Sequence, residues 1–244
     1  MPSKTSFSSK IVKLLKSNID LIYLPILAIV TFYAAQFIIG VPMLIILGSD
    51  TLKTPLIATI FSVLVYSLSF IFLLFTLKRI KPLKDRVTRN ELGLKDLITF
   101  SDIGLAVAGF FGYLAFSAIL TALFSVFPWF NLTENQPLLY STLISPLNKI
   151  FAAIALVVVG PILEEVIYRG LIYGKLRKKH SLVTSILIVS ILFGFLHGQW
   201  NVGVDVFALS VVACLMRETT GTIYAGIILH MLKNTIAFYL LFMA

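Results

Sequence analysis

Seven stretches of the chain read as membrane helices, with short polar segments between them. They lie near residues 19–48, 54–78, 101–127, 149–175, 182–198, 202–217 and 220–243, and one crossing needs about 20 mostly apolar residues. The fifth and sixth are short, and the junction GQWNVG (Gly198 to Gly203) reads as a tight turn. The first is long enough to split near Gly40-Val-Pro42, which makes an eighth crossing the alternative. No Ser/Gly-rich or Pro-rich linker and no internal repeat interrupts the series. The expected fold class is therefore all-α: a polytopic membrane protein of seven helices (eight with the split) around an intramembrane polar cavity. Residues 1–18 are expected to form a basic tail and 19–244 one membrane domain.

Composition agrees with that pattern. Hydrophobic residues make up 59% of the 244 and charged ones 13%, and the mean hydropathy is +0.99, outside the range of soluble domains. Lys4, Lys10, Lys13 and Lys16 resemble the basic start of a signal peptide. The apolar run after them is about thirty residues long, so it reads as a retained span. Cys214, the single cysteine, lies in an apolar segment and is expected to be a buried, inert thiol.

The formal charge of +9 is distributed by loop. Basic residues gather before the first span, between the second and third (Lys78, Arg79, Lys81, Lys84, Arg86, Arg89, Lys95), after the fourth (Lys175, Arg177, Lys178, Lys179) and after the sixth (Arg217). The intervening loops hold only Lys53 and Lys149. That asymmetry predicts a cytoplasmic N-terminus and a surface that meets anionic lipid headgroups. Nucleic acid is not an expected partner, since the basic residues hug span ends and form no recognition module. Trp129, Tyr140 and Trp200 fit interface anchors. His180, in the loop KKH, is expected to be solvated. Asn131-Leu-Thr133 is a glycosylation sequon of consequence only in a secretory-pathway host.

The polar residues inside the spans need a reason, because a charge near the bilayer centre costs at least about 2.5–3.5 kcal/mol. They are Glu164, Glu165 and Arg169 in the fourth span, His197 ending the fifth, Asp205 in the sixth, and His230, Lys233 and Asn234 in the seventh. Glu165 and Arg169, four apart, share a face and are expected to pair. Glu164 lies about 100° around the helix and is left without the arginine. Pro161 removes a backbone hydrogen bond to the Val157 carbonyl and can bend the helix, while Gly160 allows a neighbour to approach. Counted at about 1.5 Å per residue from the basic ends of their helices, Glu164, His197 and His230 all stand about 18–24 Å deep. One shared cavity is expected. Asp205 reads either as a partner orienting a histidine or as a group near the outer surface. Lys233 could pair with Asp205 or another carboxylate.

Glu164-Glu165-x-x-x-Arg169, Phe193-x-x-x-His197 and His230-x-x-x-Asn234, in that order on successive apolar helices, resemble the CPBP family, the CAAX prenyl-protease and bacteriocin-processing (Abi) intramembrane proteases. The motifs cover residues 160–234, and the first three spans share only their hydrophobicity with that family. The resemblance implies an endopeptidase in which Glu164 and His197 activate a water, while His230 and Asn234 hold a metal or the developing oxyanion. Phe193 would orient His197, and Glu165 with Arg169 would support the site structurally. The residues themselves fit this division: a desolvated carboxylate suits a general base, and imidazole and amide donors suit a tetrahedral intermediate. Glu164, His197 and His230 could hold zinc with an open position. No HExxH pair is present, however, and Asn is an unusual ligand, so a water activated without a bound metal remains the other reading. The substrate implied is a membrane-associated peptide or a lipidated protein tail, and the small basic chain resembles the bacterial, plasma-membrane branch. Two other classes compete: a proton- or ion-coupled transporter, where such residues form a relay though no paired halves are visible, and a catalytically silent bacteriocin-immunity protein.

Overall fold

The computed structural model describes residues 18–79, 87–134 and 145–243. The tail before residue 18, the central part of the first basic loop (Lys81, Lys84, Arg86) and Tyr140 fall outside them. The described residues form seven helices and no strand: α1 (Asp20–Leu52), α2 (Pro55–Arg79), α3 (Phe100–Phe124), α4 (Pro146–Arg177), α5 (Leu182–Phe195), α6 (Trp200–Thr220) and α7 (Tyr224–Phe242). Five of them, α1 to α4 and α7, are long and apolar enough to cross a membrane. The other two expected crossings differ. The 14 residues of α5 are too few for a full span, and α6, which carries Asp205, Arg217 and Glu218, buries much of its length against other helices. Instead α6 sits inside the bundle against α3, α5 and α7, where protein groups partner its polar side chains.

The eighth crossing does not form. α1 runs unbroken through Gly40 and Pro42 and breaks at Gly48, whose φ of 77° suits glycine. Gly40 instead serves packing, since a Cβ there would lie 3.4 Å from the Phe61 ring of α2. The expected turn between α5 and α6 does form, with Gly198 at φ 73°. Beside it, Gly194 and Gly203 bring the two backbones together: a Cβ on Gly194 would stand 2.7 Å from the Gly203 carbonyl oxygen. Small residues at such crossings are how apolar helices approach closely in lipid.

One apolar core draws from all seven helices, for example Leu24, Leu73, Ala106, Leu171, Ile186, Leu209 and Leu229. Large apolar side chains also cover the outside, among them Phe37, Phe111, Ile45 and Phe195. An outward apolar surface of that extent suits lipid rather than water. Trp129 and Trp200, both exposed, lie with ring centroids 4.9 Å apart.

The loop between α2 and α3 is docked onto the bundle. The Leu92 carbonyl lies where a Cβ on Gly170 would be, 2.8 Å away. The Arg217 guanidinium donates to the Glu91 carbonyl at 3.2 Å, and the Ile223 N–H donates to the Gly93 carbonyl at 3.1 Å. Lys178 pairs with the Glu91 carboxylate. His180 departs from expectation. Its side chain is 8% exposed and its Nε2 lies 3.1 Å from Asp20 Oδ1, with Lys179 Nζ 3.3 Å from Oδ2. Asp20 is buried in the first turn of α1, and a buried carboxylate needs such partners. The α4–α5 turn therefore clamps the start of α1 instead of trailing in solvent.

Candidate active site

α4 is not one regular helix. α-Helical turns at Pro146–Ala153, Gly160–Glu165 and Gly174–Arg177 alternate with wider π-helical runs at Ile154–Val159 and Val166–Tyr173. Pro161 accounts for the first widening. In a regular α-helix its ring would collide with the Val157 carbonyl. Here the Gly160 N–H reaches back five residues to the Ala155 carbonyl. In that register the carbonyl left without a donor is that of Leu156, one position before the Val157 expected from an α-helical count. Asn234 of α7 fills the gap, its Nδ2 donating to the Leu156 oxygen at 2.8 Å. Gly160 likewise makes room for its own helix: a Cβ would sit 3.0 Å from the Ala155 oxygen, and no neighbouring helix approaches there. π-Turns recur at functional sites, and here two of them bracket the glutamates.

Glu164 and Glu165 point to different partners. Glu165 and Arg169 are completely buried, with Oε1 2.9 Å from Nη1. The guanidinium also lies over the Phe193 ring, 4.4 Å from its centroid. The same Glu165 oxygen accepts from His230 Nδ1 at 3.1 Å. Gly226 of α7 leaves space for this carboxylate, since a Cβ there would stand 3.1 Å from Oε2. Glu164 is half-buried, with Oε2 3.7 Å from His230 Nε2. Its other oxygen, Oε1, accepts a hydrogen bond from the Tyr66 hydroxyl of α2.

His197 sits just beyond α5, its Nδ1 2.7 Å from the Phe193 carbonyl oxygen. The Phe193 ring meets both histidines edge-on, 4.9 Å from His197 and 5.9 Å from His230, and Tyr168 packs on it at 4.8 Å. The structure thus brings Glu164, Glu165, Arg169, Phe193, His197 and His230 around one point, with Asn234 one turn along α7. The Nδ1 of each histidine faces an oxygen acceptor, so Nδ1 is the protonated nitrogen when the ring is neutral and Nε2 carries the lone pair.

Asp205 does not take the histidine-orienting role expected of it, and its side chain is 29% exposed. Its Oδ1 accepts from the Tyr113 hydroxyl at 2.6 Å and from Ser117 at 2.7 Å, both on α3, and Oδ2 lies 3.3 Å from Lys233 Nζ. It ties α3, α6 and α7 together and touches no histidine. Lys233 has the partner named for it. Among the described residues, no three His, Cys, Asp or Glu side chains are grouped to hold a metal ion, so Glu164, His197 and His230 do not present themselves as a ligand set. Tyr66 is not among the residues that the sequence motifs single out. Its signal was a tyrosine in the middle of an apolar span, away from the interfacial belt, where a hydroxyl needs a partner.

Residues 146–236, from α4 through most of α7, match the family model described as "Type II CAAX prenyl endopeptidase Rce1-like". Over 145 residues the chain is 34% identical to the "Putative membrane peptidase YdiL" of Bacillus subtilis (strain 168), an overlap of 59% of this chain and 57% of that relative's length. The chain thus spans little more than half of the curated relative it matches. No solved structure matches it. The resemblance to the CAAX prenyl endopeptidase family carried by the three sequence motifs is therefore shown over the helices that bear them, α4 through α7.

Proposed function

We propose that the chain is an intramembrane endopeptidase that hydrolyses a peptide bond in a membrane-associated peptide or a lipidated protein tail. The observation that carries this reading is the opposition of Glu164 Oε2 and His230 Nε2 across 3.7 Å, with His197 tethered alongside by the Phe193 carbonyl. Glu164 acts as general base. It takes a proton from a water as the water oxygen bonds to the substrate carbonyl carbon, and it returns that proton to the nitrogen when the C–N bond breaks. His197 Nε2, with its lone pair free, accepts from the same water and orients it. Asn234 has a second N–H beyond the one given to Leu156 with which to donate to the oxyanion, and His230 Nε2 joins it as a donor when the ring carries a second proton. The relative described as a membrane peptidase and the prenyl endopeptidase family model support the reaction class. The distribution of Lys and Arg supports a cytoplasmic N-terminus with anionic headgroups against the basic face, and the Bacillus subtilis relative supports a bacterial plasma membrane as the setting.

The test uses purified protein in lipid nanodiscs and a library of membrane-anchored peptides, some prenylated, with products identified by mass spectrometry. Wild type should cleave a subset, and Glu164→Ala, His197→Ala and His230→Ala should not. Cleavage by Glu164→Ala at the wild-type rate would sink the mechanism. Metal content and activity after chelation decide the zinc alternative.

A further inference from the structure

One hydrogen bond to Glu164 comes from outside the matched segment. Tyr66 lies on α2, before residues 146–236, and its hydroxyl donates to Glu164 Oε1. The ring is set by packing: the Phe32 ring of α1 lies 5.7 Å away. α2 itself is registered against α4 two turns earlier, where the Thr59 hydroxyl, 2.7 Å from the Pro55 carbonyl of its own helix, also lies 3.0 Å from the Phe151 carbonyl. A glutamate side chain has three rotatable bonds and two equivalent oxygens. Holding one oxygen makes the two unequal and leaves only Oε2 facing His230, at 3.7 Å.

We infer that Tyr66 is a positioning residue for Glu164: it occupies Oε1 so that Oε2 is the oxygen that meets the reacting water. The inference rests on the proposed role of Glu164 as base. It adds that the working site is completed by a helix that the family motifs do not include. α4 to α7 alone would then present the glutamate in several rotamers, and only a fraction of them would be productive. Preorganisation of that kind acts on the transition state more than on substrate binding.

The experiment pairs infrared spectroscopy with kinetics on the full chain in detergent. The Glu164 carboxylate band is identified as the one lost in Glu164→Gln. Tyr66→Phe should shift that band, and the same change in the Glu164→Gln background should shift nothing. On a peptide that wild type cleaves, Tyr66→Phe should lower kcat at least about tenfold, the scale of one charge-assisted hydrogen bond, with KM within about twofold and a thermal midpoint lowered only by what one such bond contributes, so that the protein stays folded in the assay. An unmoved carboxylate band overturns the inference, as does a shifted band with wild-type kcat. If no Glu164-dependent cleavage exists, the peptidase reading fails separately, while the band still decides whether Tyr66 holds the carboxylate.

Discussion

Glu165 holds His230 from behind: the Oε1 atom that lies 2.9 Å from Arg169 Nη1 also accepts from His230 Nδ1 at 3.1 Å. The ion pair therefore does more than cancel two charges in an apolar interior. It fixes which face of the imidazole is turned to Glu164 and which nitrogen holds the proton.

This arrangement separates stability from activity. Arg169→Met leaves a buried carboxylate without its cation and is expected to cost about 3–5 kcal/mol, read as a lower midpoint in thermal or denaturant unfolding in detergent. The double variant Glu165→Leu/Arg169→Met removes both charges and should regain most of that stability. It should stay inactive, because nothing then orients His230. A double variant with wild-type activity would show that the pair is structural only.

Much of this was legible in the chain, and the reasons for the remainder are physical. The helices follow from apolar runs, long enough to cross a membrane in five of the seven, and the meeting of Glu164 with His230 follows from depth counting along α4 and α7, two helices of that length. Side-chain partners across helices are not encoded in any periodicity. The hydroxyl of Tyr66, the Asp20–His180 clamp and the Tyr113–Asp205 bond each join residues more than 90 positions apart. The widened turns of α4 were also hidden, since Pro161 announces a lost hydrogen bond but not the register the helix adopts around it.

The Asp205 cluster should behave as a structural tie. Asp205→Ala leaves Lys233 without its carboxylate and Tyr113 and Ser117 without their acceptor. A loss of about 1.5–3 kcal/mol is expected. Tyr113→Phe should cost about 1 kcal/mol. If Asp205→Ala matched wild type in unfolding midpoint, the cluster would not be holding α3, α6 and α7 together.

The docked loop supplies a pH dependence. Burial raises the Glu91 carboxyl, but the Lys178 ammonium and the Thr88 N–H, 3.0 Å from Oε2, outweigh it and hold the group below its ordinary value. A carboxylate lowered on folding stabilises above its unfolded value of about 4.3 and loses that contribution as pH falls through the lower folded value. Lys178 is 46% exposed, so the contribution is at most about 1 kcal/mol. Glu91→Gln should be less stable than wild type by that amount at pH 7, and the two should converge as the solution is acidified below pH 4. A constant difference at every pH would point to lost packing instead.

The proline and the asparagine form a pair that can be tested against each other. Pro161 has no N–H for the Leu156 carbonyl, and Asn234 supplies one from α7 at 2.8 Å. Asn234→Leu strands that carbonyl in an apolar setting and should cost about 1–3 kcal/mol. Pro161→Ala restores a backbone N–H on the same helix, so the carbonyl no longer depends on α7. Pro161→Ala/Asn234→Leu should therefore unfold at a higher midpoint than Asn234→Leu alone, a non-additivity read from the double-mutant cycle. The rescue should not extend to catalysis, because the amide's second N–H is gone and the turn carrying Glu164 can tighten back to α-helical register. Simple additivity of the two changes would mean that Asn234 does not cap the carbonyl that the proline leaves free.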